Sequence, residues 1–276
     1  MRAWSLSATV LDLAGSPAAV RARMLLAAPW AATRGAAPDR ALARALRAVS
    51  LGRACAEERR WLERIARRRR ELETRRQEIS SGVERSAGEL PAWARHFDRP
   101  IPLWGGMMML SIPATWGSFL FHLVRELRPR SCLELGTAFG LSALYQAAAL
   151  ELNGEGAMIA LDAAGEWGGV AEEGFASLGL SDRVEFRAGH LSETLGPAVS
   201  DGGPVDFALI DAEHEGDATR AHFETLLPGL ADPAVVVFDD IWSPHDMRHA
   251  WRAIRAHDQV RSAYTLARMG VVIIGR

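Results

Sequence analysis

Cys132-Leu-Glu-Leu-Gly-Thr-Ala-Phe-Gly-Leu-Ser142 is the stretch from which this chain is read. A short apolar run carries Glu134, then Gly136, three residues, Gly140 and a helix-like run from Leu141 to Leu150. Glycine at a sharp strand-to-helix turn lets backbone approach a ligand closely and aims helix N–H groups at it. A dinucleotide fingerprint needs a further glycine at the position held by Ala138, and it needs a pyrophosphate to bind. An acid before the first glycine suits a cationic or zwitterionic ligand instead.

Around this turn the pattern is regular. Trp116, Phe119, Leu120, Leu123, Val124 and Leu127 fall on one helical face, and Pro129 stops that helix. Five apolar segments then alternate with helical ones: Ser131–Leu135, Ala157–Leu161, Val184–Arg187, Val205–Ile210 and Val235–Phe238. This βαβ rhythm predicts a parallel, doubly wound α/β sheet. Ser262–Ala267 and Val271–Ile274 are separated only by Arg268-Met269-Gly270, which allows a hairpin but no crossover helix. The expected fold is a Rossmann-like sheet of about seven strands, with an antiparallel C-terminal hairpin and an α-helical N-terminal extension.

The division expected along the chain is a helical extension over residues 1–100, as a lid or dimerisation element, and a catalytic domain over 101–276. Ala41–Leu51 and Glu57–Glu78 read as helices, and Ser80–Pro102 as a linker. Acids flank the run Arg67–Arg70 on both sides, which predicts a solvated, ion-paired or dimer-facing helix face rather than an anion site. The 276 residues are 49% hydrophobic and 24% charged with net charge −2. The balance gives no reason to expect nucleic acid or an anionic membrane as partner. All 32 basic residues are arginine, so no lysine is available as a base. Two cysteines, Cys55 and Cys132, make no disulfide framework, and a reducing cytoplasm is the expected home.

The segment Glu134-Leu-Gly-x-x-x-Gly-x-Ser-Ala143 resembles motif I of class I S-adenosylmethionine (SAM) methyltransferases, most closely the catechol O-methyltransferase branch. The resemblance covers about residues 111–276 and implies SAM as cofactor. Glu134, Gly136, Thr137, Gly140 and Ser142 would form its turn. Asp162, ending the second strand, would take the ribose hydroxyls. Gly189 and His190, after the third strand, would border the adenine. Ser111 and Gly117 match the branch as well and would lie near the methionine part, although Gly117 equally suits close helix packing. Trp104 and Met107–Met109 are candidates for an acceptor pocket or for the core.

The fourth strand ends in Asp211-Ala-Glu-His214 and the fifth in Asp239-Asp240. Three carboxylates at one sheet edge repel one another unless a cation neutralises them, and Mg²⁺ fits an all-oxygen ligand set. Asp211, Asp239 and Asp240 are thus the expected metal ligands, Asp211 also bordering the cofactor. The branch's pattern has Lys where this chain has His214, and Asp-Asn where it has Asp239-Asp240. Asp-x-x-His followed by Asp-Asp resembles metal-dependent O-methyltransferases acting on macrolide sugars. His214, with Asp211, is the expected catalytic pair, and His245 a second candidate base. The acceptor is a small molecule: a sugar, polyol or phenol. Alternatives are a metal-independent methyltransferase and a non-catalytic SAM-fold subunit; a homodimer through the N-terminal helices is compatible with each.

Overall fold

The computed structural model describes residues 16–79, 100–163, 165–242 and 245–275. Most of the expected linker lies outside the described residues, as does the side chain of His245.

Seven strands form one sheet: β1 (Ser131–Leu135), β2 (Ala157–Asp162), β3 (Val184–Ala188), β4 (Val205–Ile210), β5 (Leu230–Phe238), β6 (Val260–Leu266) and β7 (Met269–Ile274). Their spatial order is β3-β2-β1-β4-β5-β7-β6; the first five are parallel, and β7 is antiparallel to both its neighbours. The expected fold is therefore observed. The hairpin differs in detail. Met269 and Gly270 belong to β7, so the turn is only Ala267-Arg268. Gly270 lies in β7, and a Cβ there would lie 2.6 Å from the Trp251 ring; the glycine accommodates the indole, not a turn.

Side chains alternate across the sheet, and both faces are buried, as a covered parallel sheet requires. Cys132, Phe207, Val235 and Val237 face one apolar cluster; Leu133, Leu135, Ala208 and Val236 face the other. The second cluster is closed by α8 (Leu191–Asp201), α9 (Gly216–Leu226) and α10 (His245–Ile254), through Leu195, Phe223 and Trp251. The first is closed by α5 (Ala114–Leu127), α6 (Leu141–Asn153) and α7 (Gly165–Ser177).

Four N-terminal helices share that first cluster: α1 (Pro17–Thr33), α2 (Ala37–Leu51), α3 (Ala56–Thr74) and α4 (Leu103–Leu110). Helix α3 ends at Thr74, four residues before the predicted boundary. Asp39 of α2 is fully buried and accepts hydrogen bonds from the Tyr264 hydroxyl and, at 3.3 Å, from Arg261. That joins the N-terminal helices to β6. The arginine run only half follows its expectation. Arg67 and Arg70 are exposed, but Ile65, Arg68 and Leu72 recur at helical spacing on the buried face. Arg68 pairs with Glu173 of α7 at 3.1 Å, and Arg69 donates to the Ile112 carbonyl. Two of the four arginines therefore dock α3 onto the domain. Among the described residues no single helix is long and apolar enough to cross a membrane.

Candidate active site

Strand register decides which residues meet. Leu135 pairs with Leu161 and Ile210, and Ile210 pairs with Phe238. The next residue on each strand, Gly136, Asp162, Asp211 and Asp239, therefore stands in one row at the carboxyl edge. The hydrogen-bond ladder runs one step further and fixes the row: Gly136 N–H to Leu161 O at 2.9 Å, Asp211 N–H to Leu135 O at 2.9 Å, Asp239 N–H to Ile210 O at 3.0 Å.

Above this row lies a cleft of about 290 Å³. Following the sheet order, one end holds Asp162, Trp167 and His190, the middle Gly136 and Ala138, and the other end Asp211, His214, Asp239, Asp240 and Arg268. Met108, Met109, Ser111 and Ile112 wall it from α4 and the segment after it. Met108 and Met109 are largely exposed, whereas Met107 is core and Trp104 does not border the cleft.

Backbone strain concentrates here. Of the six non-glycine residues with positive φ among the described residues, Ala138, Glu213, His214 and Asp240 line the cleft, and Ala267 adjoins Arg268. Each such conformation costs about 1–3 kcal/mol and persists only where surrounding structure enforces it. At Ala138 the enforcing contact is with the predicted ribose acid, whose carboxylate accepts the Ala138 N–H at 2.7 Å.

Several expected cofactor residues act from beneath the cleft and do not line it. Glu134 is fully buried; its two oxygens accept from the Ser142 hydroxyl at 3.0 Å and from the Gln146 amide. It braces the turn against α6. Thr137 is buried, with its hydroxyl 3.5 Å from the Leu161 carbonyl. Gly140 has φ 80° and fits under α7, where a Cβ would meet Ala171 at 2.8 Å. Gly189 supports the backbone before His190, which caps α8 and reaches the cleft. Gly117 serves helix packing: a Cβ there would lie 2.1 Å from the Tyr145 ring.

Burial pushes the Glu134 carboxyl up to about 7, outweighing the hydrogen bonds that favour its charge. A carboxyl whose pKa rises on folding from 4.5 makes the unfolded chain lose its proton first. Stability therefore falls as pH rises from about 4.5 to about 7, by up to about 3 kcal/mol. Glu134→Gln, which copies the protonated form, is expected to flatten that slope and to gain on the wild type as pH rises. Urea unfolding of both proteins across this range checks it; parallel curves would count against the assignment.

The acidic end departs from the sequence expectation. Asp239 is 1% exposed and is gripped by both prongs of Arg268, Nε to Oδ1 at 2.6 Å and Nη2 to Oδ2 at 2.6 Å. Nη2 also meets Asp240 Oδ1 at 2.9 Å. The expected set of three carboxylates open to a divalent ion is thus closed by a guanidinium. Among the described residues no group of three or more His, Cys, Asp or Glu is arranged to hold a metal ion. As placed, this donor set does not fit Mg²⁺. Sequence reasoning missed Arg268 because it lies 29 residues beyond Asp239, in the turn of the terminal hairpin; the cue available was a lone arginine at that turn.

Burial pushes the Asp211 carboxyl well up, and the neighbouring charge of Asp239 adds to this against the pull of Arg268. Asp240 is raised for the same two reasons. His214 stands between them, Nε2 3.8 Å from Asp211 Oδ1 and Nδ1 3.9 Å from Asp240 Oδ2. Two further acids are structural. Asp206 accepts the Arg130 and Ser131 N–H groups at 2.8 and 3.0 Å, and Asp246 accepts the Gly216 N–H at 2.8 Å.

Part of the chain is similar to known proteins. A family model for a methyltransferase domain matches residues 133–241. A catechol O-methyltransferase from Niastella koreensis is 34% identical over 109 residues, covering 39% of this chain and 48% of that protein. One from Mycobacterium tuberculosis is 30% identical over 132 residues, covering 48% and 57%. The chain thus spans about half the length of the curated relatives it matches. The crystal structure of an O-methyltransferase from Bacillus cereus in complex with S-adenosylhomocysteine (SAH) has the same fold, with a TM-score of 0.52 at 22% identity over 61% of this chain and 84% of that one. Residues 133–241 of this chain thus match a methyltransferase domain, on a sheet that shares the fold of a solved O-methyltransferase.

Proposed function

We propose that the protein transfers a methyl group from SAM to a hydroxyl of a small molecule, a sugar, polyol or phenol. The observation that carries this reading is one continuous cleft with two chemically distinct ends. Asp162, Trp167 and His190 offer a carboxylate, an aromatic wall and an imidazole, which suit a nucleoside. The acidic row beside them suits a sulfonium-bearing zwitterion. Asp211 and His214 stand at the far end as proton acceptors, beside the thioether and aliphatic wall from Met108 to Pro113. The names of the catechol O-methyltransferase relatives favour oxygen as the acceptor atom.

Bound SAM supplies an electrophilic methyl, which an acceptor oxygen takes in one displacement while the carbon–sulfur electron pair stays with the departing thioether. The residues contribute alignment and proton transfer. Asp162, held by the Ala138 N–H, anchors the nucleoside end. Ile112 and Trp167 give the cleft apolar walls. His214, set between Asp211 and Asp240, receives the hydroxyl proton. Because the carboxylates do not fit a divalent ion as they stand, no step is assigned to metal, and the metal-independent form of the reaction is the one we propose.

Calorimetric titration of the full chain with SAH tests the reading. Saturable one-site binding is expected, weakened at least about 100-fold, or about 2.7 kcal/mol, in Asp162→Ala. Absence of binding to folded wild type would refute it.

A further inference from the structure

We propose that Arg268 is the resident cation of this site, taking the place that a divalent ion holds in metal-dependent O-methyltransferases. The inference rests on the transfer reaction proposed above and concerns how its acidic end is neutralised.

A carboxylate as buried as Asp239 needs a partner, because an uncompensated buried charge costs several kcal/mol. Its partner is a two-pronged guanidinium, the geometry in which arginine binds a carboxylate best. The fork uses an oxygen lone pair on each side of Asp239, and Oδ1 also accepts the Asp240 N–H at 2.8 Å. A metal ion bound to Asp239 would compete for those oxygens and would be repelled by the guanidinium. One cation fits, and the fold delivers it on its own backbone.

The delivery is specific. Arg268 sits in the two-residue turn between β6 and β7. That turn is tied to the segment after β5 from both sides: the Ile241 N–H donates to the Arg268 carbonyl at 3.0 Å, and the Trp242 indole donates to the Ala267 carbonyl. Ala267 adopts φ 51° in this turn, so the conformation that presents Arg268 is enforced rather than relaxed. The terminal hairpin thus does more than extend the sheet. It carries the positive charge to the acidic row.

The arrangement also explains how Asp239-Asp240 is tolerated. Two adjacent acids add a negative charge relative to Asp-Asn, and Arg268 bonds to both side chains. His214 then faces Asp211 and Asp240 at the open side of the cluster.

The test uses full-length protein dialysed against EDTA and saturated with SAH, titrated with Mn²⁺ and followed by the paramagnetic resonance signal of the free ion. The wild type is expected to bind SAH and leave Mn²⁺ free throughout the titration. Arg268→Ala is expected to acquire a saturable Mn²⁺ site that Arg268→Ala with Asp239→Asn lacks; Arg268→Gln replaces the alanine variant if that one does not fold. One Mn²⁺ bound saturably per wild-type chain, and lost in Asp239→Asn, would overturn the proposal. So would a folded, SAH-binding arginine variant that takes up no Mn²⁺. Failure of the wild type to bind SAH strikes the methyltransferase reading instead, and the two results are read separately in one sample.

Discussion

Gly136→Ala is expected to abolish SAH binding and to cost the chain about 4 kcal/mol or more of folding free energy. Gly136 has φ 90°, a conformation that L side chains rarely adopt. A Cβ there would stand 2.1 Å from the Asp211 carbonyl oxygen and 2.7 Å from its carbon. Both atoms are backbone, so no rotamer change relieves the clash. Ladder bonds hold each side in place, through the Gly136 and Asp211 N–H groups. Relief requires β1 and β4 to part where the cleft begins. Gly140 is the internal comparison. Its φ is also positive, but its nearest neighbour would be the Ala171 side chain at 2.8 Å, on a helix that can shift by a few tenths of an ångström. Gly140→Ala should therefore cost less. Urea unfolding and SAH calorimetry on both variants decide this; a Gly136→Ala protein with wild-type stability and affinity would refute the close-approach argument.

Gly136 also shows what was legible in the sequence. Its place in Glu-x-Gly-x-x-x-Gly marked the turn, and the turn is where expected. Its tight neighbour is the Asp211 backbone: the glycine lets β1 and β4 end side by side. Glu134 was legible in the same partial way. An acid before the glycine marked the motif, but its two partners lie 8 and 12 residues on, along a helix face that spacing alone does not assign to one side chain. Strand-end acids were the best-read features, because alternation of apolar segments fixes the strand ends and a parallel sheet brings those ends to one edge. Pairing across the hairpin was not readable. Whether Asp239 meets a metal or Arg268 depends on the exact turn, and the three-residue loop expected there is two residues long. The arginine run was only half legible for a related reason. Its flanking acids suggested solvent, while the 3.6-residue period placed Arg68 on the face that meets α7.

His214→Ala is expected to lower the methyl-transfer rate about 10²–10⁴-fold on any phenol or sugar the wild type methylates, the range that a positioned general base supplies. SAH affinity should stay near the wild-type value, because the nucleoside end of the cleft is built from other strands. The histidine is held in a constrained place. Glu213 and His214 both have positive φ, at 60° and 49°, and the His214 N–H turns back to the Ala212 carbonyl at 2.6 Å. Alanine carries the same Cβ, so the substitution leaves the backbone strain in place and removes only the ring. What is lost is an imidazole whose two nitrogens lie 3.8 and 3.9 Å from Asp211 and Asp240. Such spacing orients a ring between two carboxylates while leaving room for an acceptor oxygen. If the ring and Asp211 act as one proton-accepting unit, Asp211→Asn combined with His214→Ala should cost little more than either alone. Additive losses would instead give the two residues separate tasks, and wild-type turnover in His214→Ala would transfer the base role to Asp211.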